Sequence, residues 1–160
     1  KIRDALVHNL LDNYTTSMRP VENEDESVNV TLSLMVRLVD ELNEESQTMT
    51  SRFVLYKEWV DTNLKWNPEE HGNIGGLVVD VDQIWTPQIS IVNSKVSVIA
   101  ESSVFQTPVV TSNGSVLWAH EMQVQTSCWI NLNFFPYETH FCAIILEPSE
   151  LMNINQVNER

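Results

Sequence analysis

The sequence predicts an all-β protein, a β-sandwich that carries one α-helix at its amino terminus and forms a single domain over residues 1–160. Short segments in which apolar and polar residues alternate recur along the chain, and turn residues separate them every 8–12 residues or so. Only one segment has the spacing of an amphipathic helix. A chain of 160 residues is also long enough to bury a core of its own. We therefore expect a helix at 1–14 and the sandwich at 28–157.

The individual elements follow from these periodicities. Ile2, Leu6 and Leu10 recur at every fourth position, which indicates a helix with one apolar face. Alternation is clearest over Val28–Asp40, and the polar segment 41–46 then predicts a hairpin turn. The return strand and six further strands are predicted at Met49–Trp59, Leu77–Asp82, Ile89–Val92, Val96–Ala100, Val104–Val110, Ser115–His120 and Leu151–Val157, with Asn113-Gly114 as a hairpin turn.

Two more alternating runs flank the cysteines, Cys128 and Cys142, the only two in the chain. The first extends from Met122 to Phe134 and the second covers residues 137–145, so both are predicted as strands. Proline at 136 interrupts the alternation because it cannot donate a hydrogen bond to a neighbouring strand. A disulfide between the cysteines would close a loop of roughly 15 residues, worth about 3 kcal/mol on the chain-entropy model.

Composition excludes some classes of function. The chain has 9 Lys and Arg against 22 Asp and Glu, a formal charge of −13, so it lacks the basic clusters that nucleic-acid binding requires. Such a charge attracts cations, although it is equally typical of a soluble acidic surface. No apolar run reaches the length of a membrane span, and no signal peptide precedes Lys1.

Three sequons begin at Asn13, Asn29 and Asn113, and together with a disulfide they predict an extracellular, glycosylated protein. The four histidines are scattered and form no metal motif, and neither a phosphate-binding loop nor a nucleophile elbow is present. The prediction is a non-enzyme without metal or cofactor. A catalytic pair at His120-Glu121 or at Glu138 and His140 is less favoured than ordinary surface polarity.

The aromatic loop of 13 residues between the cysteines, with Phe-Pro-Tyr-Glu near its end, resembles the signature of the Cys-loop ligand-gated ion channels. The nicotinic branch and its soluble acetylcholine-binding relatives are the most similar. Two further motifs carry this resemblance. The first is similar to the family's Trp-x-Asp…Leu-x-Trp segment and consists of Trp59-Val60-Asp61 followed by residues 64–68. Residues 83–88 with Asn93-Ser94 resemble the Trp-x-Pro-Asp segment, with Gln88 in place of the aspartate.

The resemblance implies an immunoglobulin-like β-sandwich that assembles with identical or homologous subunits into a pentamer. It also implies an extracellular location and a small cationic ligand such as acetylcholine at the subunit interfaces. The loop tip Phe135-Pro136-Tyr137 would contact a transmembrane domain that lies outside this chain, or would simply cover the bottom of the sandwich. The same resemblance predicts that the chain ends before the last two strands of the domain.

The aromatic box that holds a quaternary ammonium in this family can be located by counting from the motifs. Its positions fall on Val54, Val92 and Ser149, none of them aromatic. The remaining candidates beside such a site are Tyr56, Leu117 and Trp118, whereas Trp59, Trp66, Trp85 and Trp129 are predicted to pack in the core or in loops. Two hypotheses remain open: a ligand-binding domain, and a pentamer-forming homologue that has lost the box. An unrelated secreted β-sandwich adhesion module is disfavoured, because the three motifs occur in the family's order.

Overall fold

The computed structural model describes residues 1–23, 25–96, 100–102, 107–133, 136–148 and 152–159, with side chains described outside 100–102 and 152–159. The helix, α1, covers Ile2–Leu11 and buries Leu6. It ends three residues before the predicted boundary. The amide of Tyr14 already bonds to the carbonyl of Leu11 in a tight turn, which directs the Tyr14 side chain into the protein.

In the described part of the chain, nine strands follow α1, and two 3₁₀ helices lie among them at Pro68–His71 and Val81–Gln83. The strands are β1 Val28–Asn43, β2 Thr48–Val60, β3 Gly76–Val78, β4 Ile89–Ile91, β5 Ala100–Ser102, β6 Val109–Thr111, β7 Ser115–Ser127, β8 Leu146–Pro148 and β9 Met152–Glu159. The larger sheet has the order β3-β6-β7-β2-β1-β9, and β5 also pairs with β7. The smaller sheet pairs β4 with β8. Every pairing is antiparallel except that of β1 with β9. The predicted β-sandwich with an amino-terminal helix is confirmed.

The first hairpin is longer than predicted, because β1 continues to Asn43 and β2 begins at Thr48. Burial in β1 also stops earlier than the alternation predicts: Leu34 is buried, but Val36 and Leu38 are about half exposed. The β1–β2 register shifts after Val36 and again after Val39. Each irregularity breaks the pleat, so the far end of β1 no longer turns the same side chains toward the core.

Several short strands also differ from their predicted bounds. The predicted strand 77–82 is strand only to Val78, since the chain bends into the 3₁₀ helix in which the amide of Gln83 bonds to the carbonyl of Asp80. Of the predicted strands 96–100, 104–110 and 151–157, residues 97–99, 104–106 and 151 lie outside the described part. The Asn113-Gly114 turn is confirmed, with Gly114 at a φ of 86°.

One face of the larger sheet forms the main core. Pairing places Leu32 opposite Lys57, and Lys57 opposite Trp118, so these three side chains share that inner face. The largest core cluster consists of Val28, Val30, Leu32, Trp59, Leu64, Val79, Ile84, Trp85, Val110 and Val116. Trp59 and Trp85 meet edge to face, with ring centroids 6.1 Å apart. Two motifs separated in the sequence thus pack on each other.

A buried polar network joins three parts of the chain behind this cluster. The Tyr14 hydroxyl donates to Asp61 Oδ2 at 2.6 Å and accepts from the Trp85 amide at 2.9 Å. Asp61 is fully buried, and its Oδ1 accepts from the amide of Asn63. Burial raises the pKa of the Asp61 carboxyl, and the hydrogen bonds from Tyr14 and Asn63 act against that rise. The aspartate after Trp59-Val60 therefore has a structural role, fixing the helix and the 85–88 loop to the end of β2.

We expect Tyr14→Phe to lower the free energy of unfolding by about 1–3 kcal/mol, because it leaves a buried carboxylate oxygen and a buried amide without this partner. Chemical denaturation followed by tryptophan fluorescence measures the effect. Tyr137→Phe is the matched control, since the Tyr137 side chain is 92% exposed and its hydroxyl is hydrated in either state. Equal stabilities of the two variants would contradict the structural role of the Tyr14–Asp61 bond.

Candidate functional site

The disulfide closes the loop between Cys128 and Cys142, whose Cα atoms lie 5.0 Å apart. The Gln47 side chain, from the β1–β2 hairpin, holds the start of this loop. Its Oε1 accepts a hydrogen bond from the amide of Ile130 at 2.6 Å, and its Nε2 donates to the carbonyl of Ile130 at 3.1 Å. The backbone carbonyl of Gln47 accepts from the amide of Cys128. The side-chain amide of Gln47 thus makes the hydrogen bonds to Ile130 that the backbone of a neighbouring strand would otherwise make. The strand predicted to continue past Cys128 is wrong for residues 128–133, because β7 ends at Ser127, and Phe134 lies outside the described residues.

A second side-chain amide determines where the chain after the loop becomes a strand. Asn93 Nδ2 donates to the carbonyl of Ala143 at 2.7 Å, and Asn93 Oδ1 accepts from the amide of Ile145 at 3.0 Å. The amide of Val92 bonds to the carbonyl of Ile145. The predicted strand over 137–145 is therefore wrong, because the Asn93 side chain occupies the Ala143 carbonyl and the Ile145 amide, and regular pairing begins only at Leu146.

The loop exposes large aromatic side chains. Trp129 is 76% exposed, Tyr137 92% and Phe141 91%, and Pro136 is also exposed. The packing role predicted for Trp129 is therefore wrong, whereas Trp59 and Trp85 are buried as predicted and Trp66 is half-buried. Of the predicted tip, Phe135 lies outside the described residues. This end of the sandwich presents an apolar surface.

A cleft of about 600 Å³ opens beside the loop, between the far ends of β1 and β2 and residues 140–146. Leu34, Val36 and Met49 form one wall, and Phe141 and Ile144 contribute to the other. The carboxylate of Glu138 is buried nearby, 3.7 Å from His140 Nε2. Among the residues that the structure describes, no other charged side chain forms an ion pair with Glu138 or His140, the two residues considered as a catalytic pair.

The candidate ligand-site residues fall on opposite faces of the larger sheet. Tyr56 pairs with Ala119, and Leu117 pairs with Glu58, so Tyr56 and Leu117 share the outer face. Trp118 points to the inner face. The structure therefore brings Tyr56 and Leu117 onto one surface and separates Trp118 from both.

The positions expected for the aromatic box differ in their exposure to solvent. Val54 lies on the outer face between Met35 and Glu121 but is fully buried within the chain. Val92 follows β4 and is about half exposed. Ser149 lies outside the described residues. In this chain, Val54 offers no surface to a ligand.

The inner face around Trp118 carries an unusual group of polar side chains. Lys57 is buried, and its Nζ donates to the carbonyl of Pro87 at 3.1 Å and lies 4.6 Å from the centroid of the Trp118 ring. The ring of His120 stacks on Trp118 with centroids 4.7 Å apart. Burial, and secondarily the charge of Lys57, lower the pKa of His120 to about 4. At neutral pH the imidazole is therefore uncharged beside the lysine.

The three sequon asparagines, Asn13, Asn29 and Asn113, are all exposed, as a glycan acceptor must be. Within the described residues, no three His, Cys, Asp or Glu side chains converge to hold a metal ion. No helix there is long and apolar enough to cross a membrane.

Residues 3–158 match the family model of the neurotransmitter-gated ion-channel ligand binding domain. The chain belongs to this family. It is 33% identical to the neuronal acetylcholine receptor subunit beta-3 of Gallus gallus over 141 residues, 88% of this chain and 31% of that protein. It is 30% identical to the alpha-5 subunit of Homo sapiens over 144 residues, 90% of this chain and 30% of that subunit. The chain thus spans about a third of the length of these relatives.

The match confirms the resemblance to the Cys-loop, nicotinic type of ligand-binding domain, and the disulfide predicted for that type is present. Sequence reasoning did not identify the roles of Lys57, Tyr14 or Asp61 in this ligand-binding domain. A signal for Lys57 existed, because the lysine occupies an inward position of the alternating strand Phe53–Trp59. Tyr14 gave no comparable signal, since its partners lie 47 and 71 residues away.

Proposed function

We propose that this chain is the extracellular domain of a nicotinic-type pentameric ligand-gated channel subunit, or of a soluble relative of the acetylcholine-binding-protein type. In this proposal identical or homologous subunits assemble through the outer face of the larger sheet, and a small ligand binds where they meet. The domain acts by binding and conformational change and not by catalysis. The observation that supports this most strongly is a row of exposed aliphatic side chains on that outer face.

The row crosses three neighbouring strands. Val78 on β3 pairs with Val109 on β6, and Val109 pairs with Leu117 on β7; their side chains are 60%, 43% and 45% exposed. Glu58 on β2 borders the row next to Leu117. A contiguous apolar strip with a polar rim is typical of a protein–protein interface. Tyr56 lies on the same face, so a ligand at such an interface would be near an aromatic side chain.

The exposed surface at the Cys-loop end supports the proposal that this chain is the extracellular domain of a channel subunit. Trp129 and Tyr137 combine large apolar areas with an N–H and an O–H group that can still hydrogen-bond, and Phe141 adds a purely apolar ring; such a mixture suits a surface that packs against another domain while partly hydrated. In a channel subunit this surface would face the membrane-spanning part. The exposed sequons and the disulfide are consistent with an extracellular location.

Assembly is tested with Leu117→Asp, which places a charge in the middle of the apolar row. For the oxidised chain we expect light scattering to give a mass near five protomers, and for Leu117→Asp a mass near one, because burying an unpaired charge in an interface is costly. Met18→Asp, at another exposed apolar residue outside the row, should leave the assembly intact. A wild-type monomer, or an unchanged mass for Leu117→Asp, would contradict assembly through this face.

A second function is favoured by Val54, which is fully buried and not aromatic. In this alternative the domain forms the pentamer but contributes no aromatic cage, as an accessory subunit would. Titration of the assembled chain with acetylcholine and with tetramethylammonium, followed by tryptophan fluorescence, distinguishes the two. Saturable quenching supports ligand binding, whereas a pentamer without any response supports the accessory role.

A further inference from the structure

A lysine, Lys57, is buried on the inner face of β2, and neither subunit assembly nor ligand binding at an interface explains why a charged residue lies there. Lys57 is 5% exposed, although a fully buried lysine is rare and an uncompensated ammonium in a protein interior is strongly unfavourable. Its neighbours on the same strand face, Leu55 and Trp59, are apolar, as is its cross-strand partner Leu32. A hydrophobic side chain would satisfy the alternation at this position, so the core by itself does not require a cation.

Two of the groups in contact with the ammonium of Lys57 favour its charged form. The carbonyl of Pro87 accepts a hydrogen bond from Nζ at 3.1 Å, and the face of Trp118 lies 4.6 Å from it. An indole face is the strongest of the aromatic partners for a cation, and the attraction increases when water is excluded. His120, stacked on the same indole, is neutral near pH 7 and leaves the lysine as the positive charge of this group.

We propose that Trp118 and the Pro87 carbonyl form an alkylammonium site inside the sandwich, and that the chain fills this site with its own Lys57 side chain. The tethered cation fixes the loop 84–88 to β2 and β7. That loop leads directly into β4 and to Val92, so Lys57 determines the position of the segment on which one candidate ligand-site residue lies. The proposal does not depend on ligand binding at an interface, and it predicts that this segment is ordered without any external cation.

Removal of the tether tests the site by chemical rescue. Lys57→Ala deletes the atoms that correspond to n-propylammonium, so this cation is the probe, and 1-propanol is the neutral control of similar size. Lys57→Ala should have a lower melting temperature than the wild type. Millimolar n-propylammonium should raise the melting temperature of Lys57→Ala saturably and change its tryptophan fluorescence, whereas 1-propanol should do neither.

Lys65→Ala is the matched control variant, because Lys65 is exposed and its removal opens no buried site. We expect no effect of n-propylammonium on Lys65→Ala or on the wild type. Three results would overturn the proposal: an equal rescue of Lys57→Ala by 1-propanol, an equal effect of n-propylammonium on Lys65→Ala, or no rescue of Lys57→Ala by n-propylammonium.

Lys57→Met keeps the side-chain volume without the charge and provides a second test should Lys57→Ala fail to fold. This variant should fold and lose less stability than Lys57→Ala, because methionine fills the volume of the lysine side chain and leaves no cavity. Hydrogen exchange at the amides of Trp85 and Val92, which bond to the Tyr14 hydroxyl and the Ile145 carbonyl, should nevertheless accelerate by roughly tenfold or more, as loss of a charge-assisted hydrogen bond predicts. Unchanged exchange at both amides would show that Lys57 serves only to fill space.

Discussion

Gly114→Ala is expected to destabilise the domain by about 3 kcal/mol or more, the sum of backbone strain at a positive φ and of overpacking. Gly114 has a φ of 86°, and a Cβ built on it would lie 2.4 Å from the carbonyl oxygen of Asp61. The obstacle is backbone, and it cannot move freely because the amide of Asp61 bonds to the carbonyl of Gly114 at 2.8 Å. The melting temperature should fall by about 6–12 °C, measured by circular dichroism.

Gly75→Ala is the control for this prediction. Gly75 accepts a hydrogen bond from Ser112 in the adjoining strand end, its φ is not positive, and an added Cβ would meet no atom within 4 Å. Its stability should change by no more than about 0.5 kcal/mol, as for most unstrained surface substitutions. The sequon at Asn113 survives Gly114→Ala, so glycosylation does not differ between the proteins compared. Similar losses in both variants would show that the close approach to Asp61 does not determine stability.

His120 is expected to make the domain sensitive to acid. Its pKa is lowered from 6.5 to about 4 in the folded state, so between these values the unfolded chain binds a proton that the native protein does not. Stability then falls as the pH decreases from about 6.5 to about 4 and is fully retained above 6.5. The loss can reach about 3 kcal/mol, at 1.36 kcal/mol for each pH unit between the two values.

The free energy of unfolding at several pH values, compared between the wild type and His120→Gln, measures this contribution. The comparison is necessary because other groups titrate in the same range; Asp61, whose pKa is raised, favours the native state on protonation and opposes the effect of His120. His120→Gln should reduce the loss between pH 6.5 and 4. His8→Gln, at an exposed histidine of α1, should leave it unchanged. Parallel curves for wild type and His120→Gln would refute the prediction.

Local pattern was sufficient for the elements that depend on neighbouring residues. Alternation identified β1, β2 and nearly all of β7, and the Asn113-Gly114 pair identified its turn, because period and turn chemistry are properties of a few adjacent residues. The cysteine spacing and the Phe-Pro-Tyr motif led to the family that the match over residues 3–158 shows. Strand ends around the Cys loop could not be found in this way. The side chains that replace the strand partners there, Gln47 and Asn93, lie about 83 and 50 residues from the groups they bind.

In the candidate site, too, some features follow from local pattern and others depend on contacts between distant residues. Alternation by itself places residues 117 and 118 on opposite faces of a strand, but only the pairing of β7 with β2 determines that Trp118 is inside and Leu117 outside. The sequence by itself determined the fold class, the Cys loop and the absence of aromatic residues at positions 54, 92 and 149. The tertiary structure alone decided that Val54 is buried and that the ammonium of Lys57 lies over Trp118. Both depend on contacts between strands, loops and faces that are distant in the chain, and no local pattern encodes such contacts.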